Sequence, residues 1–489
     1  MSLAHSLTGT RTRTRTRTRT LSHLLLSGHN PLSPPSAYGS SSSSSLRQSP
    51  SNPTLTPVPL SAWLCSVGRE PDAAAGYRLL PRGVAAGAGH SLLAYRNYEG
   101  VDRLVAVGRN EVGQLGVGFA SQEGTRGLVE GFEGEAVLAA KAGVQSSYLL
   151  VKEDQDTTSL YSMGNLARGR LGLPQLFPPS TPLEPHVEPT QHLLPRATLV
   201  PVPPEVGRIK QLEVGFEHLL VLSESGEIWG TGCNTDGQLG LGTSVLSDVY
   251  ELTKLLLPPE IVEHEGGVAR ISAGADTSAL ITQSGKVYTW GNSEYAQAFH
   301  GRKIDQIHSP LLIAHECFLP PSRRIVDFQC GGSFALALDD RSDVYSCGFG
   351  ALGLTSSRLS TLTPTRLDPL SGQGITRIRA RFGYAAAIRD AGPASAIWTW
   401  GLNTLYGRLG VGSVGPARGG GGGGRFDPAA PPRVQMHVYE PSEVEVPLRA
   451  LGLERAASGA SAREWRFGAV ELGEEGMWVA LEVDEPEVD

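Results

Sequence analysis

Residues 108–118 read GRNEVGQLGVG and residues 232–242 read GCNTDGQLGLG, so one phrase, G-x-N-x-x-G-Q-L-G-x-G, is written twice. Its residue types are those of a reversing loop. Gly113, Gly116, Gly237 and Gly240 can take the positive φ of a tight reversal. The side chains of Asn110 and Asn234 can hydrogen-bond the turn backbone. Leu115 and Leu239 are apolar residues that such a loop can drop between packed layers. The phrase predicts structure rather than chemistry.

Outward from it, each copy follows a short strand-like segment that ends in glycine. The series is LVAVG (104–108), LYSMG (160–164), IWGTG (228–232), VYTWG (287–291), VYSCG (344–348) and IWTWG (397–401), with AWLCSVG (62–68) as a weaker member. From Gly108 through Gly164, Gly232, Gly291, Gly348 and Gly401 the spacings are 56, 68, 59, 57 and 53 residues. A second phrase precedes each segment, as in AAGAGHSLLAY (85–95), LEVGFEHLLVL (212–222) and FQCGGSFALAL (328–338). Short strands bounded by Gly, Ser, Asp and Asn read as antiparallel hairpins. Four strands to a unit and seven units to the chain predict an all-β fold, a seven-bladed β-propeller of four-stranded antiparallel blades. The propeller is placed at residues 58–485. Its last unit, ERAASGASAREWRFGAVELGEEGMWVALEV (454–483), is degenerate, and AWLCSVG is expected to complete it and so remove an open sheet edge.

Composition agrees. Sixty glycines in 489 residues favour many tight turns over long helices. Residues 1–69 hold seven arginines and no acid, whereas the remainder carries a net charge of −14. So acidic a body is a poor non-specific binder of polyanions. The acid-free, Arg- and Ser-rich start predicts a mitochondrial transit peptide followed by a disordered Pro/Ser-rich linker over residues 1–57. Five scattered cysteines without C-x-x-C spacing predict neither a disulfide framework nor a zinc site. No apolar run approaches the ~20 residues of a membrane-spanning helix.

The pairing of G-x-x-H-S/T-x-A-L with V-Y-S-W-G-x-N-x-x-G-Q-L-G resembles the seven-bladed regulator of chromosome condensation family across nearly the whole chain after residue 57. WGNSEYAQAF (290–299) and SMGN (162–165) are similar to its mitochondrial branch. The G-x-x-H slot holds His90, Ser146, His218, Thr277, Phe334 and Tyr384, so two blades keep the histidine. The structural motif residues are therefore Gly108, Asn110, Gly113, Leu115, Gly116, Gly232, Asn234, Gly237, Leu239, Gly240, Gly291, Gly348 and Gly401. His90 and His218 read as buried structural residues.

No nucleotide-binding, metalloprotease or serine-hydrolase motif occurs, so no catalytic residue, metal or cofactor is expected. Insertions at 174–205, 354–367 and around RGGGGGGR (418–425) map to loops. Arg377, Arg379 and Arg381 alternate in TRIRARF, which on a strand places them on one face. That face is either a partner-binding patch or a strand surface paired with the acidic body. The resemblance implies a non-enzymatic, monomeric scaffold in the mitochondrial matrix or at the matrix face of the inner membrane. Its partners would be proteins or mitochondrial rRNA, in ribosome assembly or organelle biogenesis, with peripheral membrane association through those partners. The alternative it implies is guanine-nucleotide exchange on a mitochondrial dynamin-like GTPase; nuclear exchange on the Ran GTPase is the remote third.

Overall fold

The computed structural model describes residues 19–29, 51–58, 64, 77–132, 136–154, 157–176, 193–404, 407–412, 435–451, 453 and 465–484. They form seven four-stranded antiparallel blades in a ring. Blades 1 to 6 span residues 78–128, 136–199, 209–254, 268–312, 325–366 and 377–443, each running from its innermost strand outward in chain order. No helix among them is long and apolar enough to cross a membrane.

Blade 3 shows why these residues make strands. Its innermost strand, Ile209–Val214, buries Ile209, Leu212 and Val214 and leaves the residues between them half-buried, the alternation being broken once by a bulge between Ile209 and Gln211. The second strand, His218–Ser223, is buried along its whole length because blades cover both of its faces. The turn between it and Ile228–Gly232 is closed by Gly226 at φ +87°. The core lies between blades: Leu220, Leu239 and Ile228 of blade 3 pack with Ile271, Leu280 and Trp290 of blade 4.

The repeated phrase is the joint between blades. Asn234 Oδ1 accepts from Leu239 N at 2.8 Å, and Asn110 Oδ1 from Leu115 N at 3.1 Å. Gly237 and Gly240 have φ of +79° and +69°, while Leu115 and Leu239 are fully buried. In blade 4, where Ala296 and Phe299 replace the two glycines, both still hold φ of +66°. The loop keeps its left-handed turns without glycine because Ser293 Oγ takes over the asparagine's role, accepting from Ala298 N.

The ring closes differently from the sequence-based expectation. Blade 7 combines Trp465–Leu472 and Gly476–Asp484 from the C-terminal end with Arg19–His29 and Ser51–Pro57 from the N-terminal end. Arg19–His29 pairs with Gly476–Asp484 from Arg19 opposite Asp484 to Gly28 opposite Gly476, and it buries Leu24, Leu25 and Leu26. The propeller therefore begins at Arg19, not at residue 58. The closing strand is LSHLLLSGH rather than AWLCSVG, of which only the buried Leu64 lies among the described residues. The reason is legible afterwards: LLLSGHN (24–30) is a faint copy of the strand phrase, an apolar run ahead of G-x-N. Ser27 Oγ donates to Arg408 O of blade 6 at 2.9 Å, as Trp290 Nε1 of blade 4 donates to Gln238 O of blade 3 at the same distance. Thr54 bridges to Val411 as Val117 bridges to Arg196, marking Ser51–Pro57 as an outermost strand.

Two supposed insertions also have structure. The 174–205 segment ends in the outermost strand of blade 2, Leu193–Leu199, and 354–367 contains that of blade 5, Ser360–Arg366. Residues 1–18, 30–50 and 418–425 lie outside the described residues.

Candidate functional site at the mouth of the central channel

The hairpins joining the first two strands of each blade converge at one end of the ring axis. Their ends carry the G-x-x-H slot, and that slot is structural. His218 Nε2 lies 3.0 Å from Ser278 Oγ of the next blade, and His90 Nε2 lies 2.9 Å from Ser147 Oγ. Each serine in turn donates to a carbonyl of the loop phrase, Gln238 O or Gln114 O, at 2.8 and 2.7 Å. The serine proton is thus engaged and the histidine must be the donor, the reverse of a nucleophile activated by a base. Burial pushes the imidazoles down, to about 4 for His90 and about 3 for His218, so both are neutral.

The glycine of this slot is dictated by the ring beside it. A Cβ on Gly215 would stand 2.1 Å from His218 Cε1 and 2.7 Å from Gly274 O. Gly215→Ala is expected to cost about 1–3 kcal/mol by overpacking, read as a lower denaturant midpoint at unchanged slope.

The three alternating arginines of Arg377–Arg381 do share a face, and that face turns inward. Arg377 pairs with Asp390 at 2.7 Å and donates to Phe467 O of blade 7 at the same distance. Arg379 donates to Ile378 O. Arg381 crosses the axis: its Nη1 reaches Ala86 O of blade 1 at 3.2 Å and its Nη2 reaches Val214 O of blade 3 at 3.3 Å. Its guanidinium lies 4.8 Å from the Phe382 ring centroid, and that ring stacks with Phe216 of blade 3 at 5.9 Å. Arg377 and Arg381 thus tie blades together across and around the channel.

Beside this stack a cavity of about 630 Å³ opens, walled by Phe216, Tyr295, Phe382 and Leu402, with Asp276, Glu294, Glu474 and Arg408 on its lining. Arg408 is spent on the fold. It donates to Leu402 O, Glu474 O and Phe382 O at 2.7–2.9 Å and lies 4.4 Å from the Tyr384 ring. Three other cations of this face are paired: Arg109 with Glu475, Arg170 with Glu217, and Arg168 with Asp248 and Glu217. Burial, then the neighbouring Asp236 and Glu217, push the Asp276 carboxyl up to about 6, with Arg168 opposing. Sequence reading passed over these residues. Their signal is variability inside a constant frame: the two middle positions of G-x-x-H are Phe216 and Glu217 in blade 3 but Ala275 and Asp276 in blade 4.

Against known proteins, residues 209–238 and 268–297, and again 225–281 and 284–338, match models of the regulator of chromosome condensation (RCC1) repeat. The chain is 32% identical over 261 residues to the human E3 ubiquitin-protein ligase HERC2, covering 52% of this chain but only 5% of that protein. It is 27% identical over 354 residues to the mouse RCC1-like G exchanging factor-like protein, covering 68% of this chain and 69% of that one. In fold it is similar to the crystal structure of human WBSCR16, with a TM-score of 0.65 at 19% identity over 96% of this chain and all of that one. With repeats of this type over residues 209–338 and seven blades closed into one ring, the chain is an RCC1-like propeller protein.

Proposed function

We propose that this propeller is a non-catalytic platform that binds protein partners on the hairpin face around the channel mouth, and that it works in the mitochondrion. The observation that carries the platform reading is the state of the polar groups on that face. The histidine–serine pairs are consumed in joining blades, while carboxylates and aromatic rings are left at an open cavity. Carboxylates at the mouth repel a phosphate backbone. The partner of this face is therefore a protein, and the implied contact with mitochondrial rRNA falls to other surfaces. Mitochondrial residence rests on the acid-free, arginine-rich start of the chain. Chemical crosslinking of the intact chain in mitochondrial matrix extract, read by mass spectrometry, tests both parts. Partner crosslinks concentrated on hairpin residues support the platform, whereas crosslinks confined to the outer strands refute it.

Guanine-nucleotide exchange is the second reading, favoured by the likeness to a protein named as G exchanging factor-like over two thirds of both chains. An exchange factor acts by binding the nucleotide-free state of its GTPase more tightly, which needs no cofactor of its own. The test is release of a fluorescent GDP analogue from a purified mitochondrial dynamin-like GTPase on adding the intact chain. Exchange predicts acceleration of at least about tenfold that saturates with propeller concentration. An unchanged rate with folded propeller removes this reading for that GTPase and leaves the platform.

A further inference from the structure

We propose that the cavity at the channel mouth receives a lysine or arginine side chain presented by a loop or tail of a protein partner. The inference rests on the platform reading and names the chemistry of what docks there. Two independent features of the site select this occupant.

The first is charge. Of the cations near the mouth, Arg408 is committed to three carbonyls and Arg109, Arg168 and Arg170 to carboxylates of the hairpin and loop residues, while Lys303 lies 6.0 Å from the Tyr295 ring centroid. Among the described residues, Asp276, Glu294 and Glu474 make no ion pair through their side chains. Asp276 has one long hydrogen bond, from Gln238 Nε2 at 3.4 Å. The groups acting on it are Asp236 and Glu217, which repel its charge, and Arg168, already bridged to Asp248. A partner cation placed there relieves a repulsion that the fold leaves standing.

The second is shape. The cavity wall is apolar on the side of Phe216, Phe382 and Leu402, and the wall continues outward into the stacked rings of Tyr295 and Phe349, 5.5 Å apart and 38% and 46% exposed. An apolar wall leading to carboxylates matches a side chain with a methylene stem and a charged tip, which buries the first and pairs the second. The carboxylates of Asp276, Glu294 and Glu474 disfavour a nucleotide or phosphorylated peptide there. No group of three or more metal-ligating side chains able to hold an ion occurs among the described residues, so the donors suit an organic cation rather than a metal.

The test uses the intact chain and two fluorescein-labelled pentapeptides, Gly-Leu-Arg-Leu-Gly and its citrulline isostere, which keeps the shape and loses the charge. Saturable binding of the arginine peptide at ~1 mM or below is expected, with the citrulline peptide about tenfold weaker. D276N/E294Q, checked for an unchanged thermal midpoint, is expected to erase that difference. Binding to the wild type is expected to weaken from pH 7.5 to pH 5, as Asp276 becomes protonated, and to do so less in D276N. Equal affinity for the two peptides, undiminished discrimination in the double variant, or no saturable binding each overturns the proposal. If D276N/E294Q loses the peptide but keeps the crosslinked partners, the cavity is a cation site that those partners do not use, and the proposal of a partner-presented side chain fails while the platform stands.

Discussion

Removal of residues 1–57 is expected to abolish the cooperative unfolding transition of the propeller, whereas removal of residues 1–18 leaves it unchanged. The shorter deletion spares Arg19–His29 and Ser51–Pro57, and the longer one takes both strands out of blade 7. Leu24, Leu25, Leu26 and Leu55 are each at most 3% exposed. At about 1.5–3 kcal/mol for each buried leucine, their loss approaches the ~5–15 kcal/mol by which a domain is ordinarily stable. It also bares the backbone of Gly476–Asp484 along its length, an unpaired edge prone to association. Supplying a 19–57 peptide in trans is expected to restore the transition in part, because the strands are held by packing and pairing alone. Identical thermal midpoints for residues 58–489 and the full chain would show that the N-terminal strands do not close the ring. On the mitochondrial reading, any import cleavage that leaves the ring intact has to fall before Arg19.

The second large effect is acid lability carried by His90 and His218. Their folded values of about 4 and about 3 lie below the usual 6.5, so the unfolded chain takes up protons first as pH falls. Their contribution is complete above about pH 6.5 and is lost progressively toward pH 4. By pH 5 the loss is about 2 kcal/mol at each site, or about 4 kcal/mol for the two. Asp276, pushed up to about 6, works in the opposite sense, and His300, lowered to about 4, in the same sense. The clean measurement is therefore a difference between variants. H90F/H218F is a fair comparison because Phe334 fills the same slot in blade 5, its ring against Gly331 as His218 lies against Gly215. Urea unfolding from pH 7 to pH 5 is expected to cost the wild type about 4 kcal/mol more than the variant. Parallel pH profiles would mean that the two imidazoles are not the groups being titrated.

The chain's own sequence determined the unit and its repetition. A loop of G-x-N-x-x-G-Q-L-G requires positive φ at set positions, an asparagine to hold the turn and a leucine to bury, and those are local demands that local residues meet. Gly237, Asn234 and Leu239 do in the structure what their types allow. Two things were beyond it. LLLSGHN has no Phe, Tyr or Trp of its own and lies in an acid-free, low-complexity stretch, so composition spoke louder than the faint copy of the strand phrase. Only the pairing with Gly476–Asp484, more than 400 residues away in the chain, makes it the closing strand. Alternation put Arg377, Arg379 and Arg381 on one face, yet whether that face meets solvent or the channel depends on where the other six blades lie. The same holds for the cavity. Phe216, Asp276, Tyr295, Phe382 and Glu474 come from four different blades, and a strand's period says which residues share its face but not what stands opposite, which ring closure alone decides.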